Sequence, residues 1–169
     1  AGSRYDIYTT DVATLQSLLR NVATVSGSDS IITITLTTDV NGMIVFQGPE
    51  GTTYVLDAAG HTINGSGQNE AIQLSNGNHA NVILKGNGIY HPGINHTVYG
   101  GGGKLIIESG IFNAPTFMGY TIINSNVFFK LADGYDYYTV DTNADNLFAS
   151  YEENQSYSIS KDVGKLVVS

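Results

Sequence analysis

The sequence predicts an all-β solenoid, a ribbon of short strands wound into stacked coils, and three observations predict it. The first is a degenerate unit that recurs through the middle of the chain. Gly42-Met43-Ile44-Val45-Phe46, Glu70-Ala71-Ile72-Gln73-Leu74, His96-Thr97-Val98-Tyr99-Gly100 and Tyr120-Thr121-Ile122-Ile123-Asn124 follow one plan. Anchored on Ile44, Ile72, Val98 and Ile122, the steps are 28, 26 and 24 residues: a fixed order with variable loops. The second is the apolar run that follows each unit: Tyr54-Val55-Leu56-Asp57, Asn81-Val82-Ile83-Leu84-Lys85, Lys104-Leu105-Ile106-Ile107-Glu108 and Asn126-Val127-Phe128-Phe129-Lys130. Anchored on Val55, Val82, Leu105 and Val127, these step by 27, 23 and 22. The third is the shortness of the runs and the tightness of the corners between them, such as Asn-Gly-Ser-Gly at 64–67 and Gly-Asn-Gly at 86–88. With 20 Gly against 3 Pro, the bends fall to Gly and Asn, which turn a chain tightly at low steric cost.

Taken in order, the elements begin with a helix over Asp11–Ala23. Val12, Leu15, Leu19 and Val22 recur at helical spacing, Leu18 broadens the stripe, and Thr10 or Asp11 supplies the N-cap. An amphipathic helix ahead of strands covers the unpaired backbone at the open end of a solenoid. Ile31–Thr37 follows as a half-buried strand, with Ile32, Ile34 and Leu36 alternating with Thr. It forms the first coil, and the four repeats bring the count to about five. From Leu131 the texture changes to clustered Tyr and Asp. Apolar alternation returns at Tyr138-Thr139-Val140, Leu147-Phe148-Ala149, Tyr157-Ser158-Ile159 and Leu166-Val167-Val168, a strand cap that includes antiparallel pairing. A piece of fewer than about 40 residues is hard to stabilise alone, so the chain reads as one domain over 1–169: cap helix 9–25, coils 30–130 and C-terminal strand cap 131–169.

Composition narrows the function. Net charge is −8, with 7 Lys plus Arg against 15 Asp plus Glu, which opposes binding to nucleic acid and to anionic membranes. No run reaches the ~18 apolar residues of a spanning helix, so no membrane insertion is expected. There is no Cys, hence no disulfide, thiolate metal site or Cys nucleophile. Only 13% of residues are charged, so the polar surface rests on Ser, Thr, Asn and Gly, a surface suited to neutral ligands such as sugars. Ala1-Gly2-Ser3 reads as a truncation point, so a longer natural chain is expected.

Three phrases carry a family resemblance: Val55-Leu56-Asp57-Ala58-Ala59-Gly60-His61-Thr62-Ile63, Val82-Ile83-Leu84-Lys85-Gly86-Asn87-Gly88-Ile89 and Gly103-Lys104-Leu105-Ile106-Ile107-Glu108-Ser109-Gly110-Ile111-Phe112. They resemble the leucine–aspartate–x–x–glycine–x–x–isoleucine and leucine–x–isoleucine–x–x–glycine coils of pectin-lyase-like right-handed parallel β-helices, especially those in large bacterial surface and secreted proteins. The resemblance spans roughly residues 9–130. It implies a single-stranded right-handed parallel β-helix, an N-terminal cap helix at Asp11–Leu19, and an extracellular or cell-surface location in a bacterium. The fold hosts lyases, hydrolases, adhesins, spikes and stalks, so function has to come from the residues.

Those residues do not compose a catalytic constellation, and no catalytic residue is assigned. Lyases that the chain resembles use Arg or Lys as base beside Asp-bound calcium. Here Arg4 and Arg20 lie off the coils, and Lys85, Lys104 and Lys130 read as solvated strand-edge charges. Glycoside hydrolysis needs two carboxylates roughly 5–10 Å apart. Asp39, Glu50, Asp57, Glu70 and Glu108 are sparse and form no evident pair. His61, His79, His91 and His96 fall in corners. His91 and His96 flank Pro92-Gly93 and are close enough to meet across a turn, but no third metal ligand is legible. Asp141, Asn143, Asp145 and Glu152 have the 1, 3, 5 and 12 spacing of an EF-hand calcium loop, with Asn146 in place of its glycine. A hairpin turn at 143–146 explains the same residues, and both readings stay open. Calcium is the one cofactor the sequence suggests.

Tyr is in surplus, 11 residues with no Trp. Tyr54, Tyr90, Tyr99 and Tyr120 fall near coil edges, where aromatic faces stack on sugar rings or else seal the ribbon. The expectation is a non-catalytic surface or secreted module for adhesion or carbohydrate binding, its partner a polysaccharide or a host or cell-surface protein. The alternatives are a polysaccharide-degrading enzyme of the same fold and a structural spacer or spike segment.

Overall fold

The computed structural model describes residues 2–28, 30–75, 80–116, 120–124, 128–139, 158–160 and 164–169. It is an all-β chain wound as a β-solenoid of about three turns. Each turn crosses three faces. The first face stacks β3 (Ile31–Leu36), β5 (Thr53–Asp57), β8 (Asn81–Lys85), β11 (Lys104–Ile107) and β14 (Phe128–Leu131), all parallel. The long strand β4 (Val40–Phe46) then bends across a corner. Its start pairs with β6 (Thr62–Asn64) on the second face and its end with β7 (Ile72–Leu74) on the third. The second face continues through β9 (Ile89–His91) and β12 (Gly110–Asn113), and the third through β10 (Val98–Gly100) and β13 (Tyr120–Asn124).

Alternation along each strand sends every second side chain inward, so equivalent residues of successive turns stack into rows. On the first face the inward rows are Ile32–Tyr54–Val82–Leu105 and Ile34–Leu56–Leu84–Ile107. On the third face the row is Ile44–Ile72–Val98–Ile122, the register that the repeat anchors predict. These side chains belong to one continuous apolar core. The second set of anchors needs correction. Val55 pairs with Ile83 and faces outward, while Tyr54 is the residue level with Val82. Leu105 aligns with Phe129, and Val127 lies outside the described residues. A single-residue slip exchanges the two faces of a strand, and matching Val to Val concealed the inward Tyr.

The ends depart from the expected elements. Helix α1 spans Val12–Leu18 rather than continuing to Ala23, with Asp11 at its N-cap and Leu15 buried. The amides of Val22 and Ala23 turn back to the Leu19 carbonyl, and Ala23–Ser28 then forms β2, antiparallel to β3. Gln16 ties helix to strand: its amide nitrogen donates to the Ala23 carbonyl at 3.0 Å and its oxygen accepts from the Val25 amide at 2.8 Å. Strand β1 (Ser3–Ile7) adds to β4 in parallel. At the other end β15 (Tyr137–Thr139) and β12 both pair antiparallel with β17 (Lys165–Val168), and β16 (Ser158–Ser160) pairs antiparallel with β13. The solenoid amounts to about three turns, against the about five coils that the repeats predict. No helix among the described residues is long and apolar enough to cross a membrane.

Candidate functional site

The connections from the second to the third face stack on one another and build the site. Backbone donors of the later connection reach the earlier one: Ile94 N–H to the Gln68 carbonyl at 2.8 Å, Asn95 N–H to Asn69 at 3.1 Å and His96 N–H to Asn69 at 3.3 Å. Gly93 makes the approach feasible, since a Cβ there would lie 2.4 Å from the Asn69 carbonyl. Thr97 is fully buried, and its hydroxyl donates to the Asn113 carbonyl of the next turn. This packing fixes His96 at the entrance to β10.

His96 anchors an aromatic strip on the outside of the third face. Its ring stacks on Tyr99 with centroids 5.9 Å apart and on Tyr120 at 6.4 Å. The Tyr120 amide donates to His96 Nδ1 at 3.0 Å, so the ring is held as the neutral tautomer with the proton on Nε2. Burial lowers the His96 pKa below its usual 6.5. Tyr120 is 39% exposed, and Tyr99 and His96 are half-buried, so the strip presents aromatic surface to solvent.

Beside it lies a polar pair. Gln73 is level with Tyr99 on the neighbouring strand, and its amide nitrogen donates to Glu70 Oε1 at 2.9 Å. Glu70 is 3% exposed and is the one buried acid among the described residues. Its second oxygen has no hydrogen-bond partner, and burial raises its pKa.

Of the four tyrosines expected at a ligand surface, the structure unites two and corrects two. Tyr54 is buried: its hydroxyl lies 2.6 Å from the Gly48 carbonyl and 3.0 Å from that of Thr9, and desolvation pushes its pKa up to about 12. Tyr90 is also buried, stacked on Phe112 at 4.5 Å, and its hydroxyl has no partner. Both occupy inward strand positions, so neither can meet an external ring. Tyr99 and Tyr120 remain, joined by His96, Glu70 and Gln73, which sequence reasoning does not assign to a ligand site. The signal was present: Glu70, His96 and Tyr120 recur at the same steps of 26 and 24 as Ile72, Val98 and Ile122.

The other candidates disperse. His91 and His96 do not meet: His91 Nδ1 lies 3.1 Å from the Asn113 amide nitrogen, and His61 pairs with Asp39 at 3.3 Å. The Thr62 amide, with His61 behind it, holds the Asp39 carboxyl below its ordinary value. Asp57 caps a turn by accepting from the Ala59 amide, and Glu108 accepts from the Tyr135 hydroxyl at 2.8 Å. Among the described residues no group of three or more His, Asp or Glu could hold a metal ion. His79 and the expected calcium loop, Asp141, Asn143, Asp145 and Glu152, lie outside the described residues. No family model, no curated protein and no solved structure matches the chain.

Proposed function

We propose that the chain is a non-catalytic carbohydrate-binding module, a right-handed parallel β-helix of the pectin-lyase-like kind from an exported bacterial protein. In this reading α1 caps one end and the antiparallel C-terminal strands cap the other. The observation that carries it is the strip of Tyr99, His96 and Tyr120: stacked, part-exposed aromatic rings on a rigid outer face, with a side-chain amide alongside. Aromatic faces supply apolar contact to the C–H face of a sugar, and neutral amides bond its hydroxyls. The overall charge of −8 favours neutral glycans over polyuronates. Isothermal titration against a panel of neutral oligosaccharides tests the reading. Binding that Tyr99→Ala and Tyr120→Ala abolish, with circular dichroism unchanged, supports it. An absence of binding to every glycan in the panel defeats it.

The calcium loop at Asp141–Glu152 belongs to the same proposal. A thermal melt should shift upward with millimolar calcium and lose that shift in Asp141→Ala and Glu152→Ala variants. A second reading, a polysaccharide-degrading enzyme, draws on Glu70, a buried acid with a raised pKa and one oxygen without a partner. Release of reducing ends from a bound glycan, lost in Glu70→Gln, separates the two.

A further inference from the structure

The register sets Gln73, Tyr99 and Ile123 at equivalent positions of successive turns, and Glu70, His96 and Tyr120 each stand two residues before the paired Ile72, Val98 and Ile122. In two turns the residues three apart touch each other, Gln73 with Glu70 and Tyr99 with His96. One local geometry therefore carries a polar pair in one turn and an aromatic pair in the next. Glu70 is an unexpected occupant. A buried carboxyl with one oxygen unpartnered carries a desolvation penalty that an apolar side chain of similar size would avoid. Packing alone does not call for an acid here.

What the carboxyl does provide is direction. Its Oε1 accepts, so it draws the nitrogen end of the Gln73 amide toward itself. That leaves Gln73 Oε1 as an acceptor with no donor among the described residues, on a half-buried side chain one strand spacing, ~4.8 Å, from Tyr99.

We propose that Gln73 is the specificity-determining hydrogen-bond acceptor of the aromatic strip, and that Glu70 is the positioning residue that fixes which end of its amide faces the ligand. The ligand class follows: a ring that stacks on Tyr99 while donating a hydroxyl to Gln73, a neutral sugar rather than a uronate. A uronate carboxylate at that point would bring a second acceptor against an acceptor, beside a buried acid. This inference rests on the carbohydrate-binding reading above.

The test is titration of the intact chain with neutral cello-, xylo- and manno-oligosaccharides and with oligogalacturonate, using wild type, Tyr99→Ala, Gln73→Leu and Glu70→Gln. Gln73→Leu should weaken neutral-glycan binding roughly tenfold, the equivalent of one lost hydrogen bond, and should lower the melting temperature somewhat because buried Glu70 loses its donor, so binding is measured well below the melt. Glu70→Gln replaces a pure acceptor by an amide that can present either end. It should therefore narrow the preference for neutral over acidic glycan, an effect that a merely structural role would not produce. If wild type binds and Tyr99→Ala does not, but Gln73→Leu binds and discriminates like wild type, the inference is overturned while the binding reading stands. That outcome depends only on the outward-facing Gln73 variant, so a folding defect in Glu70→Gln does not blunt the test. If wild type binds none of the probes, the reading beneath the inference has failed and the inference falls with it.

Discussion

Tyr54 on β5 and Tyr90 on β9 both point inward from different faces, and their hydroxyls differ in their surroundings. The Tyr54 hydroxyl reaches two carbonyls, whereas the Tyr90 hydroxyl is buried without a partner. Tyr54→Phe should therefore lose about 1 kcal/mol of stability, and Tyr90→Phe should lose nothing or gain a few tenths. Chemical denaturation of the pair checks this, and equal losses in both would show that the Tyr90 hydroxyl has a partner after all. Titration gives a second residue-scale expectation. The folded chain binds the His96 proton more weakly than the unfolded chain, so its contribution is present above pH 6.5 and is lost as pH falls below that value. Glu70 has the opposite sign. Its raised pKa makes its contribution full below 4.5, and that contribution declines as pH rises through the raised value. Urea melts across this range should show the acid limb flattened in His96→Gln and the other limb flattened in Glu70→Gln; an acid limb identical in wild type and His96→Gln would remove the imidazole from the account. None of this could be read from the sequence, where every Tyr at a coil edge looks alike. Exposure depends on which way a strand position faces, and Tyr, with an apolar body and a polar tip, suits either side.

At the scale of the element, the third face was legible and the first was legible to within one residue. Ile44, Ile72, Val98 and Ile122 are apolar and inward in every turn, so the repeat itself fixed their register. On the first face, inward Tyr54 stands beside outward Val55, and apolar type alone pointed to the wrong neighbour. The outward row Val55–Ile83–Ile106 is itself apolar and half-buried, which weakens the alternation that would otherwise have resolved the slip. Truncation distinguishes the rows. Leu84→Ala should cost about 2–5 kcal/mol because the cavity opens in a fully buried layer. Ile83→Ala, one residue away on the outer side, should cost less than about 1 kcal/mol. Equal costs would contradict the assigned register. The helix was legible in kind and in its N-cap but not in length, because Val22 and Ala23 fit a helical stripe as readily as they fit the turn into β2.

Across the whole molecule, the stacked rows mean that each turn is held chiefly by the turns on either side, which makes stability local along the axis. Strands β5 and β8 each lie between two parallel neighbours on the first face, while β1 forms the edge beside β4. Native-state hydrogen exchange should therefore grade along the chain, with the slowest amides in β5 and β8 and faster ones in β1 and β2. The sharper version uses Leu84→Ala. Removing that side chain thins the row Ile34–Leu56–Leu84–Ile107 at its third member. Protection should fall most in β8, less in the adjoining β5 and β11, and least in β1, which shares no row with it. A chain that opened only as one cooperative unit would lose the same protection at every slowly exchanging amide. A uniform drop would therefore sink the nearest-neighbour description, whereas a graded one would mean that the third-face strip can stay folded while a remote end of the solenoid frays.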